Sequence, residues 1–295
     1  MKNKKCKKKY KKKCMIFLTV VGLLVAYLGT NIWTSSHCLV VNQFAYETDA
    51  AVGMVRLAVL SDLHEHEFGE KNADLIKNVE KQAPDLILLD GDFLNADSEN
   101  ADILCELITA LQEMAPVYFA LGNHEEMYME SHPELIGELE AVGAKVLDKE
   151  YVDLEIHGTA LRLGGMYDYA FGLNEKDEAE AAPAEVKTFL EDYQNTDRIK
   201  IMMAHRPDSF IFGNASEYWD VDLVISGHNH GGQVVLPFLG GIYGGDQGWF
   251  PEYVHGMYEK DTMTLFVTSG LGSHKQVLPR VNNRPEIAII TVVGK

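Results

Sequence analysis

Cysteine is scarce in this sequence, four in 295 residues, which excludes a disulfide scaffold. Nine prolines, 25 glycines and the lack of any internal repeat exclude a collagen-like chain, and 46% hydrophobic residues exclude a disordered tail. A charged content of 24% leaves no room for the several charge-free runs of about 20 residues that a polytopic membrane protein needs. Basic residues are few beyond the N-terminus. Nine of the 26 lie at Lys2, Lys4, Lys5, Lys7, Lys8, Lys9, Lys11, Lys12 and Lys13, leaving 17 basic against 44 acidic groups and a formal charge of −27 on the rest. Such a body repels phosphate backbones, so no nucleic-acid partner is expected and the lysine head is not a DNA-binding arm. One large soluble domain is expected behind the N-terminal segment.

Residues 14–46 contain no Lys, Arg, Asp or Glu, and 14–33 is long enough as a helix to cross a hydrocarbon core of about 30 Å. By the positive-inside rule the lysine head stays in the cytoplasm and the acidic body lies outside it, with Trp33 placed as an interfacial aromatic. A cleaved signal peptide shares the basic head and apolar stretch, but no A-x-A site follows; a buried core helix fits poorly beside nine lysines. The expected division is a polybasic head over 1–13, an anchor over 14–33, a linker with a first strand over 34–54 and a catalytic body over 55–295. Cys38 and Cys105 are the one pair able to bridge in an oxidising compartment, although Cys105 lies in an apolar helical pattern that suits a buried thiol.

Apolar runs at 55–60, 86–89, 117–121, 199–204 and 221–225 have the Val, Ile and Leu content of buried strands. Amphipathic stretches at 70–82, 100–114 and 133–142 separate the earlier ones, with Pro84 and Gly143 as stop signals. This alternation predicts an α/β layer fold, and the shorter strands 151–156 and 160–164 predict a second sheet. The acidic stretch 173–184 suits a solvated loop better than a lid.

The chemistry lies at the strand ends: Ser61-Asp62-Leu63-His64, Gly91-Asp92, Gly122-Asn123-His124-Glu125, Ala204-His205-Arg206-Pro207 and Gly227-His228-Asn229-His230-Gly231-Gly232. In an open α/β sheet ligands bind beyond the carboxyl ends of strands, so the five turns can converge on one pocket. Carboxylate, imidazole and amide donors without thiolate suit hard-to-borderline divalent ions such as Mn, Fe or Zn. The i, i+2 spacing of Asp62 with His64, and of His228 with His230, would aim each pair one way from extended backbone.

One such motif is weak, but five in this order resemble the calcineurin-like metallophosphoesterases. The later segments Gly231-Gly232-Gln233, Leu236-Pro237, Ser269-Gly270-Leu271-Gly272 and Asn283-Arg284-Pro285-Glu286 resemble its membrane-anchored bacterial branch, which is similar to UDP-2,3-diacylglucosamine pyrophosphatases and cell-surface phosphoesterases. The resemblance implies a four-layer αββα sandwich behind one transmembrane helix, and a dinuclear centre. Asp62, His64, Asp92 and His230 would hold one ion; Asp92, Asn123, His205 and His228 would hold the other, with Asp92 bridging. It further implies hydrolysis of a phosphate ester or pyrophosphate by in-line attack of a metal-bridging hydroxide, without a covalent enzyme intermediate. Two divalent ions against two carboxylates leave a local cationic focus inside an acidic body.

His124 would assist the leaving group as general acid or as a cation, or else orient a ligand. In the protein-phosphatase branch a carboxylate pairs with this histidine and an arginine follows; Asn95 and Ala96 stand there, which speaks against a phosphoprotein phosphatase and leaves Asn95 as the expected partner of His124. Arg206 and Arg284 are candidate phosphate clamps, equally compatible with ordinary ion pairs. His66 is expected as an exposed loop residue. Phe238, Tyr243, Trp249, Phe250 and Tyr253 would form either a lip for a lipid or sugar-nucleotide group or packing for the second sheet. The short tether to the membrane puts a lipid-linked or UDP-sugar-linked phosphate within reach. The alternatives are a nuclease of the same superfamily, which the acidity opposes, and an anchored metal-binding surface protein without turnover, which His124 opposes.

Overall fold

The computed structural model describes residues 2–174, 177–273 and 278–295, with the backbone alone for 2–9. The side chains of the first lysines and Cys6, and Glu175 and Lys176 of the acidic stretch, lie outside the described residues. Helix α1 (Lys2–His37) runs unbroken from the head through the apolar span, and its segment Tyr10–His37 is long and apolar enough to cross a membrane. It ends four residues beyond the expected span, because Thr34 and Ser36 hydroxyls donate to the carbonyls of Asn31 and Ile32 and so stay compatible with the helix.

Twelve strands form two six-stranded sheets. In chain order they are β1 (Val40–Glu47), β2 (Val55–Leu60), β3 (Leu86–Asp90), β4 (Val117–Ala120), β5 (Ala144–Val146), β6 (Glu150–Ile156), β7 (Thr159–Gly165), β8 (Ile199–Met203), β9 (Leu223–Ser226), β10 (Gly256–Lys260), β11 (Met263–Val267) and β12 (Glu286–Val293). The first sheet has the order β1-β12-β2-β3-β4-β5 and the second β10-β11-β9-β8-β7-β6. β2 to β5 run parallel, as do β7, β8, β9 and β11, so their carboxyl ends share one rim in each sheet.

The sequence dictates the layers. Every residue of β3, Leu-Ile-Leu-Leu-Asp, is buried, as a central parallel strand requires, because both of its faces meet apolar neighbours. Leu57, Val59, Leu88, Ile201, Ile225 and Ile290 fill the space between the sheets. Outside the first sheet lie α2 (Ala73–Glu80), α3 (Asp102–Leu111), α4 (Asn123–Met129) and α5 (Leu135–Ala141); α3 buries Leu104, Leu107, Ile108 and Leu111, a single i, i+3, i+4, i+7 face. Outside the second lie α6 (Ala184–Tyr193), α7 (Asp208–Ile211) and α8 (Ala215–Tyr218), packed through Val186, Leu190, Phe210 and Trp219. The fold is mixed α/β, two sheets flanked by helices, behind one apolar N-terminal helix. Cys14, Cys38 and Cys105 are free thiols, so the Cys38–Cys105 bridge does not form, and Cys105 is only partly buried.

Candidate metal centre

The turns that follow β2, β3, β4, β8 and β9 meet at one place. Asp62, His64 and His230 offer ligand atoms that all lie within 4.8 Å of one another; so do Asp92, His205 and His228, and so do His64, Asp92 and His124. Asp92 Oδ2 is 3.2 Å from His205 Nε2 and 3.9 Å from His64 Nε2, while Asp62 Oδ1 is 3.7 Å from His230 Nε2. Asn123 opens α4 beside them and borders the same cavity of about 290 Å³ with Asp92, His124, His228 and Asp246. A larger, open depression of about 920 Å³ between Lys149 and Asp192 gathers no such cluster among the described residues.

The convergence does not arise from extended backbone. Asp62, His64, Asp92, His228 and His230 have φ of 54°, 51°, 56°, 65° and 44°, all in the left-handed region. The i, i+2 argument for extended chain is therefore corrected: each pair is brought together by tight left-handed turns, which cost side-chain-bearing residues about 1–2 kcal/mol apiece. Gly91, at φ 72°, permits the closest approach, since a Cβ there would lie 2.7 Å from Gly122 Cα and 2.8 Å from His205 Cγ.

Buried partners hold the turns. Glu125 accepts from the backbone N–H groups of Asp92 (2.7 Å), Phe93 (2.8 Å), Leu94 (3.0 Å) and Gly122 (2.9 Å), clamping two strand-end turns with one carboxylate. Burial and the nearby Asp92 charge push the Glu125 pKa up, and the amide hydrogen bonds pull against them. Asp92 Oδ1 accepts from the His124 N–H (2.9 Å), and both Asp62 oxygens accept from the His228 N–H. Arg280, buried and not singled out by sequence, donates to the carbonyls of Ser269, Gly270, Gly272 and Asn283, tying the 269–272 turn beneath Asp62.

The donor set fits a divalent cation. Asn123 Oδ1 and His228 Nε2 are buried polar atoms with no hydrogen-bond partner among the described residues, and both face this cavity. His205 Nδ1 donates to the Asp90 carbonyl (2.7 Å) and His64 Nδ1 to Asn95 Oδ1 (3.1 Å), the outer hydrogen bonds that leave Nε2 to a ligand. Burial lowers the pKa of His64 and of His228 to about 4 and holds His230 well below its ordinary value, so all three are neutral bases near pH 7. Burial also lowers that of His205, but the Asp92 charge outweighs it and raises the pKa, a proton that a bound cation would displace.

Three expectations change here. Asn95 Oδ1 meets the His64 ring, and its Nδ2 donates to Glu65 (2.6 Å). His124 Nδ1 instead accepts from the Ala96 N–H (3.0 Å), which fixes the ring proton on Nε2. Arg284 is not at the cavity: its Nε and Nη2 donate to the carbonyls of Cys38 (2.9 Å) and Leu39 (2.6 Å), because the chain leaving α1 passes beside it. His66 is half-buried against Phe68 and the His37 ring of α1, at 4.5 and 6.0 Å between centroids, rather than exposed. Arg206 does stand at the rim, donating to Tyr169 Oη (3.0 Å), over the Tyr167 ring and 3.7 Å from Asp246. Asp246, 3.8 Å from His228 Nε2, lay in a stretch whose only sequence signal was aromatic.

Two carboxylates, four imidazoles and an amide gathered on the strand-end rim of paired sheets define a metallophosphoesterase. The calcineurin-like phosphoesterase family matches residues 55–232, and the chain belongs to that family. It is a hydrolase of phosphoester bonds. The chain is 29% identical to the phosphodiesterase YaeI of Escherichia coli (strain K12), over 86% of this chain and 88% of that protein. It is 30% identical to the uncharacterized metallophosphoesterase Cj0846 of Campylobacter jejuni, over 82% of this chain and 60% of that protein. Among solved structures it is similar to the phosphopantetheinyl hydrolase of Mycobacterium tuberculosis, with a TM-score of 0.47 and 14% identity over 76% of this chain and 91% of that one.

Proposed function

We propose that the chain is a membrane-anchored phosphodiesterase with a dinuclear centre. Asp62, His64, Asp92 and His230 would hold one divalent ion and Asp92, Asn123, His205 and His228 the other, drawn from Mn, Fe or Zn. The observation that carries this is the position of Asp92, which is common to the cluster with His205 and His228 and to the cluster with His64. Two such ions, when bound, supply a water of lowered pKa and charge stabilisation for in-line displacement at phosphorus. The protein's own share is to hold the donors rigidly through Glu125, Asn95 and the Asp90 carbonyl. His124, with its proton on Nε2, donates toward the leaving oxygen. Arg206 offers a guanidinium at the rim, suited to a non-bridging phosphate oxygen.

Diester hydrolysis is favoured by the similarity to a protein named phosphodiesterase, which spans most of both chains. The apolar helix, lysine head and uncharged 14–46 stretch support a single-pass anchor with the catalytic body outside the cytoplasm, divided from head and span as the sequence suggests. A lipid-linked or UDP-sugar-linked phosphate is then the substrate class nearest to hand.

The test is turnover of bis-p-nitrophenyl phosphate by Mn-loaded protein, with metal content measured on the same samples. Wild type should carry two ions per chain and release p-nitrophenolate; Asp92→Ala should lose both ions and activity. His124→Ala should keep the metal and lose about 10²–10⁴-fold in rate. One ion per chain, or release equal to the Asp92→Ala background, overturns the proposal.

A further inference from the structure

Four large apolar side chains project from the body beside the metal cavity: Phe238, Leu239, Trp249 and Phe250, each more than 60% exposed. Phe238 and Leu239 form the tip of a small hairpin pairing Val235–Leu236 with Gly240–Gly241, and Trp249 lies on a second ribbon that pairs Tyr243–Gly244 with Gly248–Trp249. The Phe250 N–H donates to the Ile242 carbonyl (2.8 Å), which joins the two, and the second ribbon borders the metal cavity through Tyr243 and Asp246.

The level of this lip along α1 is fixed by hydrogen bonds. At the hairpin base Asn282 Nδ2 donates to the Val235 carbonyl (3.0 Å). Its Oδ1 accepts from Tyr27 Oη (2.9 Å) and Asn31 Nδ2 (2.6 Å), and its N–H donates to Asn31 Oδ1 (2.6 Å). From Lys13, where the lysine head ends, to Asn31 the helix rises about 27 Å, close to the thickness of a hydrocarbon core. The hairpin base thus stands where α1 leaves the apolar layer. A body of formal charge −27 gains nothing from anionic headgroups, so any contact of this face with the bilayer beyond α1 is made by apolar side chains.

We propose that Phe238, Leu239, Trp249 and Phe250 insert into the leaflet from which α1 emerges and turn the metal cavity toward lipid-borne phosphate. This rests on the reading of α1 as an anchor. The occupant is lipid acyl chain, and the side chains act as an interfacial apolar face does elsewhere.

The experiment uses the full chain as W33F, which leaves buried Trp219 and exposed Trp249, in phosphatidylcholine vesicles with and without brominated acyl chains. The protein should float with the vesicles and lose the Trp249 share of its emission to the brominated lipid, a loss absent when W249F is added. F238S/L239S should cut turnover of vesicle-embedded oleyl p-nitrophenyl phosphate by about tenfold or more and leave soluble bis-p-nitrophenyl phosphate unchanged. Failure to float overturns the anchor and the lip with it. Flotation with Trp249 open to aqueous iodide overturns the lip alone. Flotation with Trp249 shielded from both quenchers and a doubled mass assigns the face to a second copy, which also overturns it.

Discussion

At the scale of single residues, the chemistry of this protein depends on side chains whose own backbone is unfavourable. Five donors in the left-handed region can persist only because Glu125, Arg280 and the Asp90 carbonyl hold the turns that bear them. Glu125→Gln keeps the shape but turns an amide N–H₂ toward backbone donors. It should cost about 2–3 kcal/mol in chemical denaturation and weaken metal uptake in calorimetry. Asn95→Ala should weaken metal binding by about 10–100-fold by releasing the His64 ring, while the pH-rate limb belonging to His124 stays in place. A shifted limb with unchanged metal affinity would restore Asn95 to His124. The residue types of the centre were legible because carboxylate, amide and imidazole at successive strand ends have few structural uses. The partner of each ring was not: Asn95 and His64 are 31 residues apart, with α2 and β3 between them, and the fold of that segment, not the local sequence, decides which imidazole the amide meets.

Among the elements, the strands that deliver the donors were readable as apolar runs ending in polar turns, since a parallel strand buried on both faces has no freedom to be anything else. Beyond residue 225 the signal is mixed, although β11 is buried along its whole length. β10 is only partly buried at an edge, and the short ribbons bearing Tyr243 and Trp249 have two residues a side, too few for a period. β12 is apolar apart from Glu286 and Thr291, and it lies between β1 and β2 with Glu286 at its start. That carboxylate, fully buried, accepts from Asn42 (2.6 Å), Thr268 (2.8 Å) and the Ser269 N–H (2.8 Å), and pairs with His255 (2.8 Å). Burial raises the Glu286 pKa, but His255 and the other donors bring it below the ordinary value; burial lowers that of His255, but Glu286 brings it above. The carboxylate's share of stability is present above its unfolded pKa and is lost as pH falls through its depressed value. The imidazolium's share is full below about pH 6.5 and is lost as pH rises through the elevated value. Melting temperature should therefore decline from pH 6 toward pH 9, and His255→Gln should flatten that decline. An unaltered slope would remove His255 from this role.

For the whole molecule, the external supports are the metal and, on the proposed reading of α1 as an anchor, the membrane. Because the donors sit in strained turns around buried carboxylates, chelation should lower the melting temperature, and Mn at about 100 times its Kd should restore about 2.7 kcal/mol. Thermal scans with and without chelator check this, and Asp92→Ala should show no difference between them. Orientation is checked with a membrane-impermeant maleimide on intact cells: Cys38, free and partly exposed just beyond α1, should react, and Cys14 should not. Labelling of Cys38 only after lysis would reverse the topology. The apolar N-terminal helix was legible from composition alone. The docking of its last turns was not, because Tyr27, Asn31 and Ser35 are unremarkable in sequence until Asn282 and Asn283 fold back to meet them.

The seating of β12 also sets the timing of biogenesis. β1 emerges from the ribosome early, yet among the described residues its neighbour in the sheet is a strand translated 246 residues later, so it must wait unpaired while the intervening chain is made. A nascent chain arrested before Glu286 would leave β1 and β2 without the strand that separates them, and quality-control proteases would meet it as an open sheet edge.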